Sequence, residues 1–230
     1  MEKEIDYQAI DLGLPSGLLW ADRNIGATSE KDPGLFFQYG DTVGHSIKEL
    51  TSKRPLNKDN FEYKFWNGKK ITKYIDKEKE ITLDPEDDAA TAIMRNGWRM
   101  PTIWEIIELL NNTDKFIITK KREEIEATVD NTYYFHLRYC KGVKETMGMK
   151  FYNRNDHSKY IFIPGVSSIS SQTHRFYKDG EIKLWSSSSS RLAGSRHSHC
   201  LSIFGKIGCE QPAGIDWKNE YIPIRGVKKI

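Results

Sequence analysis

The sequence predicts an α+β domain, with two helices early in the chain and short, mostly antiparallel strands late in it, joined by long irregular connections. Three observations carry this expectation. Helix-start signals occur twice between residues 84 and 112, and apolar runs of strand length bounded by turn residues follow from about residue 133. The length of 230 residues suits one large domain with generous loops. Hydrophobic residues make up 38% of the chain and charged residues 29%, with the apolar content concentrated in six Trp, eleven Tyr and ten Phe. Aromatics of this density pack sheets and line recognition surfaces, and they argue against disorder.

In chain order, residues 1–8 are a polar tail and the domain is expected over 9–230. Ala9 to Ala21 holds two short apolar runs around Pro15-Ser16-Gly17, a β-hairpin in which Gly17 can take the positive φ the turn needs. Gly34 to Gly40 is an aromatic run between glycines. Residues 41–80 are rich in Lys, Asp, Asn and Thr without a sustained period, and are read as a long surface excursion. Asp84 is placed to cap a helix with Pro85 at its first position and further acids behind it, ending by Asn96-Gly97. The same carboxylates could hold calcium, but they lack the alternating oxygen ligands and glycine of a calcium loop. Trp98-Arg99-Met100 reads as a short strand stopped by Pro101. Thr102 with Glu105 forms a capping box for a second helix, whose apolar positions are Ile103, Ile106, Ile107 and Leu110, ending at Asn111-Asn112.

After a charged stretch near 120–130, strands are expected at Tyr133–Tyr139, Met147–Tyr152 and Tyr160–Gly165, the last two joined through Asn153-Arg154-Asn155-Asp156. Further strands are expected at Ile182–Ser186, Cys200–Phe204 and Tyr221–Arg225. Trp20, Trp98, Trp104 and Trp185 all lie within these segments and are expected to pack the core.

Thirty-five basic and thirty-two acidic residues are interspersed, giving a formal charge of +3, so nothing electrostatic indicates a nucleic-acid partner. The charged opening Met1–Asp6 does not resemble a signal peptide, and no apolar run approaches the ~18 residues of a membrane span. The expectation is a protein without membrane insertion, placed in a virion or the cytoplasm. Three cysteines, Cys140, Cys200 and Cys209, make a poor disulfide framework and are read as reduced thiols over the alternative of a Cys200–Cys209 bridge.

Asp11-Leu12-Gly13-Leu14-Pro15-Ser16-Gly17-Leu18-Leu19-Trp20-Ala21 with Asn24-Ile25-Gly26-Ala27 resembles the opening of the Fibrobacter-type major paralogous domain, a family abundant in gut Bacteroidetes and their phages. Leu83 to Ala90, Gly97-Trp98-Arg99-Met100-Pro101-Thr102 and Glu105 are similar to its middle. Ile163-Pro164-Gly165, Leu184 to Ser188 and Ile222-Pro223-Ile224-Arg225 are similar to its last third. The resemblance implies a C-type-lectin-like fold in which terminal strands pair, two helices pack on the sheet and late loops carry ligand contacts. Relatives of that fold include phage-tail and surface binding domains and the formylglycine-generating enzymes, and fold alone does not choose among them.

Residue chemistry narrows the choice. Gln211-Pro212-Ala213 is the nearest string to a calcium-lectin tripeptide, and Ala213 stands where a carboxylate ligand is required. Cys200 and Cys209 do not match the copper-holding pair of the formylglycine-generating enzymes. Ser186 to Ser190 lack a nucleophile elbow and are read as a strand end whose hydroxyls bond nearby backbone. His197 and His199 share a strand face and are a weak zinc or nickel pair, with His174 the one candidate to join them. No catalytic set and no cofactor emerge. Arg175, Tyr177, Arg191, Arg196, His197 and Trp217 form the candidate ligand surface, because exposed aromatics and arginines dominate interface hot spots. The reading is a non-enzymatic module that binds a protein or glycan through late-chain loops, as a homo-oligomer or docked on a virion. A metal-dependent enzyme and a purely structural virion decoration are the alternatives.

Overall fold

The computed structural model describes residues 6–55, 62–75, 79, 81–130, 136–138, 146–176, 181–190, 196–204 and 213–229. It is a mixed, sheet-rich α+β arrangement with few helices. Strand β1 (Ala9–Asp11) turns back on β2 (Leu19–Ala21), and β13 (Val227–Lys228) joins the other side of β2, so the two ends of the described chain meet in one small sheet. The hairpin turn closes with Gly17 N–H on the Leu14 carbonyl at 2.9 Å, and Gly17 takes φ 69° as the Pro-Ser-Gly sequence requires. Val227 lies opposite Trp20 and also bridges to Arg99. Three segments far apart in sequence are thereby hydrogen-bonded together. Strand β3 (Phe36–Phe37) pairs with β12 (Ile222–Pro223) in the same manner.

The longest sheet is antiparallel, in the order β6 (His136–Arg138), β5 (Glu124–Asp130), β4 (Thr113–Thr119), β7 (Thr146–Asn153), β8 (Asp156–Pro164). The β7–β8 hairpin matches the sequence expectation. The β4–β5 hairpin replaces the charged stretch expected near 120–130, and most of the strand expected at 133–139 lies outside the described residues. A second antiparallel sheet runs β11 (Ala213–Trp217), β10 (His197–Phe204), β9 (Glu181–Ser189).

Three α-helices are described where two were expected. Helix α1 (Ile47–Ser52) begins on Ser46, whose hydroxyl accepts from Glu49 N–H, and buries Leu50. With Tyr63, Ile71 and Tyr74 also buried, the 41–80 excursion is in part packed onto the body. The second helix starts later than expected. Pro85–Asp87 form one 3₁₀ turn in which Asp84 makes no cap, and Asp88 caps α2 (Ala89–Met94) instead. Asp88 is the better placed because it is buried and also accepts from Met100 N–H at 2.9 and 3.1 Å, tying the helix start to the Arg-Met-Pro segment. Helix α3 (Ile103–Asn112) carries the expected capping box between Thr102 and Glu105 and ends where the asparagines predicted.

Ile103, Ile106, Leu109 and Leu110 of α3 enter one core with Trp20, with Ile117, Met149, Phe151, Ile161 and Ile163 of the larger sheet, and with Ile182, Leu184, Leu201 and Ile203 of the smaller. Trp98 and Trp185 enter a second core with Tyr39, Tyr74 and Met100. Trp104 does not pack inward: it is 63% exposed. It falls outside the stripe that faces the sheets, beside the half-buried Glu108 one turn on.

Candidate functional site

The site lies on β10 and β11, whose regular register runs from His197↔Trp217 to Leu201↔Ala213. Side chains alternate across a strand, so His197, His199, Ile215 and Trp217 share the face to which Leu201 belongs. That face is the one α3 covers further along, since Leu201 and the apolar stripe of α3 belong to one core. Beyond the reach of α3 the face opens to solvent, with Ile215 42% and Trp217 41% exposed. The His197 and Trp217 rings meet at 4.3 Å between centroids. Arg196 is exposed at the head of β10, and its carbonyl accepts the Lys218 N–H at 2.9 Å. Exposed Trp104 projects from α3 on the same side of this sheet.

The opposite face backs this surface with paired charges. Asp216, between Ile215 and Trp217, turns inward and pairs with Lys183 Nζ of β9. Lys183 also lies 3.2 Å from Glu181 Oε1. Glu181 accepts from Ser167 Oγ at 2.6 Å and Ser202 Oγ at 3.2 Å. Burial works against the charge on Lys183, but the carboxylates around it prevail and hold the ammonium above its ordinary range. The Trp217 backbone N–H donates to Asp216 Oδ1 at 2.8 Å, so the backbone that carries the exposed ring is tied to the charge set behind it. The corner that follows is buried too: Lys218 donates to the Tyr74 carbonyl and lies 5.6 Å from the Tyr39 ring centroid. Burial pushes its amine down to about 8. The Glu181, Lys183, Asp216 and Glu220 set escaped sequence reasoning. Its one visible signal is the strict alternation Gly214-Ile215-Asp216-Trp217, which marks a strand with two unlike faces.

Of the six expected surface residues, the structure brings together Arg196, His197 and Trp217. Arg175 is exposed but belongs to a different loop, where its carbonyl accepts from Ser170 N–H at 3.0 Å, beside Phe176 packed edge-on against Phe36. Tyr177 and Arg191 lie outside the described residues, as do Cys140, Cys209, Gln211 and Pro212. Phe176 and Ile215 are exposed hydrophobics to set beside them.

Among the described residues, the histidines form no cluster of three potential metal ligands. Among the described residues, the one group of three potential ligand side chains within 4.8 Å is Asp84, Glu86 and Asp87, which contains no histidine. Its oxygens already face amines: Lys73 lies 2.7 Å from Asp84 and 3.6 Å from Glu86, and Lys64 lies 2.6 Å from Asp87. Tyr74 Oη adds a hydrogen bond to Asp87 at 2.6 Å. These contacts dock segment 62–75 onto the 3₁₀ turn, so the cluster reads as a clamp. His174 is buried beneath its own loop with neither ring nitrogen hydrogen-bonded, and burial lowers its pKa.

Cys200 is buried on β10, and burial pushes its thiol well above the usual range. A thiol so held is a poor metal ligand and a poor nucleophile. The serine run behaves as strand-end structure. Ser186 Oγ donates to the His199 carbonyl at 2.7 Å, Ser188 Oγ accepts from Ile103 N–H at 3.1 Å, and Ser189 Oγ accepts from Ile81 N–H at 3.1 Å. These hydroxyls stitch β9 to α3 and to the segment before the 3₁₀ turn. Compared with known protein families, curated proteins and solved structures, the chain matches none.

Proposed function

We propose that this chain is a non-enzymatic binding module with a C-type-lectin-like fold, akin to the major paralogous domains its sequence resembles. Pairing of the first and last described strands, helices packed against the sheets, and burial of Trp20, Trp98 and Trp185 within the resembling segments support the fold. One observation carries the function. Trp217, 41% exposed and packed on His197 beside Arg196, is fixed from behind by the buried Lys183–Asp216 pair. A large aromatic ring held rigidly at the surface binds with little loss of conformational entropy, which is what hot spots require. The partner is a host-surface protein or glycan, and the natural setting is a phage tail or virion surface. The buried thiol of Cys200 and the amine-filled acidic cluster give the metal-enzyme alternative no support among the described residues.

The test is binding of fluorescently labelled protein to gut Bacteroidetes cells, read by flow cytometry for wild type, Trp217→Ala and Arg196→Ala. Wild-type binding that falls at least about tenfold in each variant supports the reading, since that loss equals ~1.4 kcal/mol at a hot spot. Prior treatment of the cells with periodate or protease then separates glycan from protein. Binding that is absent, or unchanged in Trp217→Ala, contradicts it.

A further inference from the structure

The corner after β11 contains a carboxyl group whose surroundings do not suit a charge. Glu220 is 4% exposed, and its Oε2 has no hydrogen-bond partner. The Ser171 backbone N–H faces it, and the charges that act on it are those of Asp216 of β11 and Lys183 of β9. Lys183 cannot serve as its counter-ion, because that ammonium already faces both Asp216 and Glu181. One ammonium against two carboxylates leaves a negative excess before Glu220 is counted. The remaining titratable neighbours do not offset it: the Cys200 thiol of β10 is neutral, Lys218 turns its amine to the Tyr74 carbonyl, and Tyr221 stays protonated because burial raises its pKa to about 12. Ionising a buried carboxyl with an unpartnered oxygen beside a like charge is costly, whereas the neutral acid is tolerated.

The same corner holds the candidate binding face. Tyr221 exchanges backbone hydrogen bonds with Ile169 at 2.9 and 3.0 Å, Asn219 Nδ2 donates to Ser171 Oγ at 2.6 Å, and Glu220 N–H returns to the Trp217 carbonyl at 2.9 Å. Displacing Glu220 therefore pulls on Trp217 through one hydrogen-bonded turn and on the 166–176 loop through Ser171.

We propose that Glu220 is a proton-operated latch: with its proton it lets the 218–221 corner close behind Trp217, and without it the corner is driven away from β9 and β11 and the aromatic face loosens. This reaches beyond the proposed function and stands whether or not Trp217 binds a partner. Burial, reinforced by the Asp216 charge, pushes the Glu220 pKa up to about 8 from the ordinary 4.5. The folded value exceeds the open-state value, so closure is fully favoured below about 4.5, weakens as pH rises from there, and reaches its floor above about 8.

Amide hydrogen exchange of the 214–221 region, corrected for intrinsic rates, tests this in the intact protein. Between pH 6.5 and 9 the opening constant of the wild type is expected to rise ~30-fold, following one proton bound more tightly in the closed state. Glu220→Gln keeps the shape but cannot ionise, and its opening is expected to stay flat over that range. A flat wild type, or a Glu220→Gln protein that opens as the wild type does, overturns the proposal. Direct titration of the Glu220 side chain by carbon-13 NMR in the wild type needs no variant. A midpoint near 8 is expected, and one below ~6 overturns the proposal whatever the variant does.

Discussion

Trp104 and Trp217 show what a single residue reveals and conceals. Both lie in segments where tryptophan usually packs inward, and Trp104 was expected in the core, yet each leaves its ring in solvent. Position on the element decides the matter. The stripe Ile103, Ile106, Ile107, Leu110 was legible; Ile107 is partly buried and the other three are buried, and Trp104 falls beside them. Truncating Trp104→Ser is therefore expected to change stability by less than ~0.5 kcal/mol in urea unfolding. Trp185→Ala is expected to cost ~3–5 kcal/mol, because it empties a core site and orphans the Phe37 carbonyl that accepts the indole N–H at 2.9 Å. The same scale separates the two candidate caps. Asp88→Ala is expected to cost ~1–3 kcal/mol, since Thr91 and Met100 both lose their acceptor, while Asp84→Ala is expected to cost less than that change. Proline after Asp84 made the wrong aspartate look like the cap. The contact that chose Asp88 comes from Met100, twelve residues away, and no local pattern announces it.

Among the elements, those built by local rules were legible and those built by partners were not. The capping box of α3, the β1–β2 turn and the β7–β8 hairpin are short-range devices, and each forms where the residues indicated. The β4–β5 hairpin was hidden because Lys120 to Glu126 reads as a charged loop, although Glu124-Ile125-Glu126-Ala127 alternates as a half-buried strand does. The ion pairs behind β11 could not be foreseen. Lys183 and Asp216 are separated by 33 residues and meet through the β9–β10–β11 order alone. Lys183→Ala is expected to destabilise the protein by ~3–5 kcal/mol, because Glu181 and Asp216 are then left buried without a cation. Asp216→Asn in that background should recover part of the loss, and a thermal unfolding series over the two variants measures it.

At the scale of the whole molecule, the body is closed by contacts between distant segments: β13 on β2, β12 on β3, and segment 62–75 on the turn at Asp87. Such a topology places the late strands where their outward residues are held firmly, and the opening residues serve mainly to close it. Asp87 is the anchor of the 62–75 segment. Burial opposes its charge, but Lys64, Lys73 and Tyr74 together hold its carboxyl below the ordinary 3.8. A depressed pKa means the stabilisation is present above that ordinary value and is lost as pH falls through the folded value. Limited proteolysis is expected to cut within 62–75 in Asp87→Asn at neutral pH and in the wild type only in acid. Equal resistance of both proteins at neutral pH would show that the clamp does not hold the segment.

We propose that recognition occurs on the exposed tryptophan face while the buried tryptophans only support it. Indole N–H signals of the six tryptophans, followed by NMR as a solubilised host-surface fraction is added, test it most directly. Trp217 is expected to shift or broaden, with Trp104 affected where the partner extends onto α3, while Trp20, Trp98 and Trp185 keep their positions. A partner that binds with Trp217 unmoved and the buried indoles displaced would contradict it.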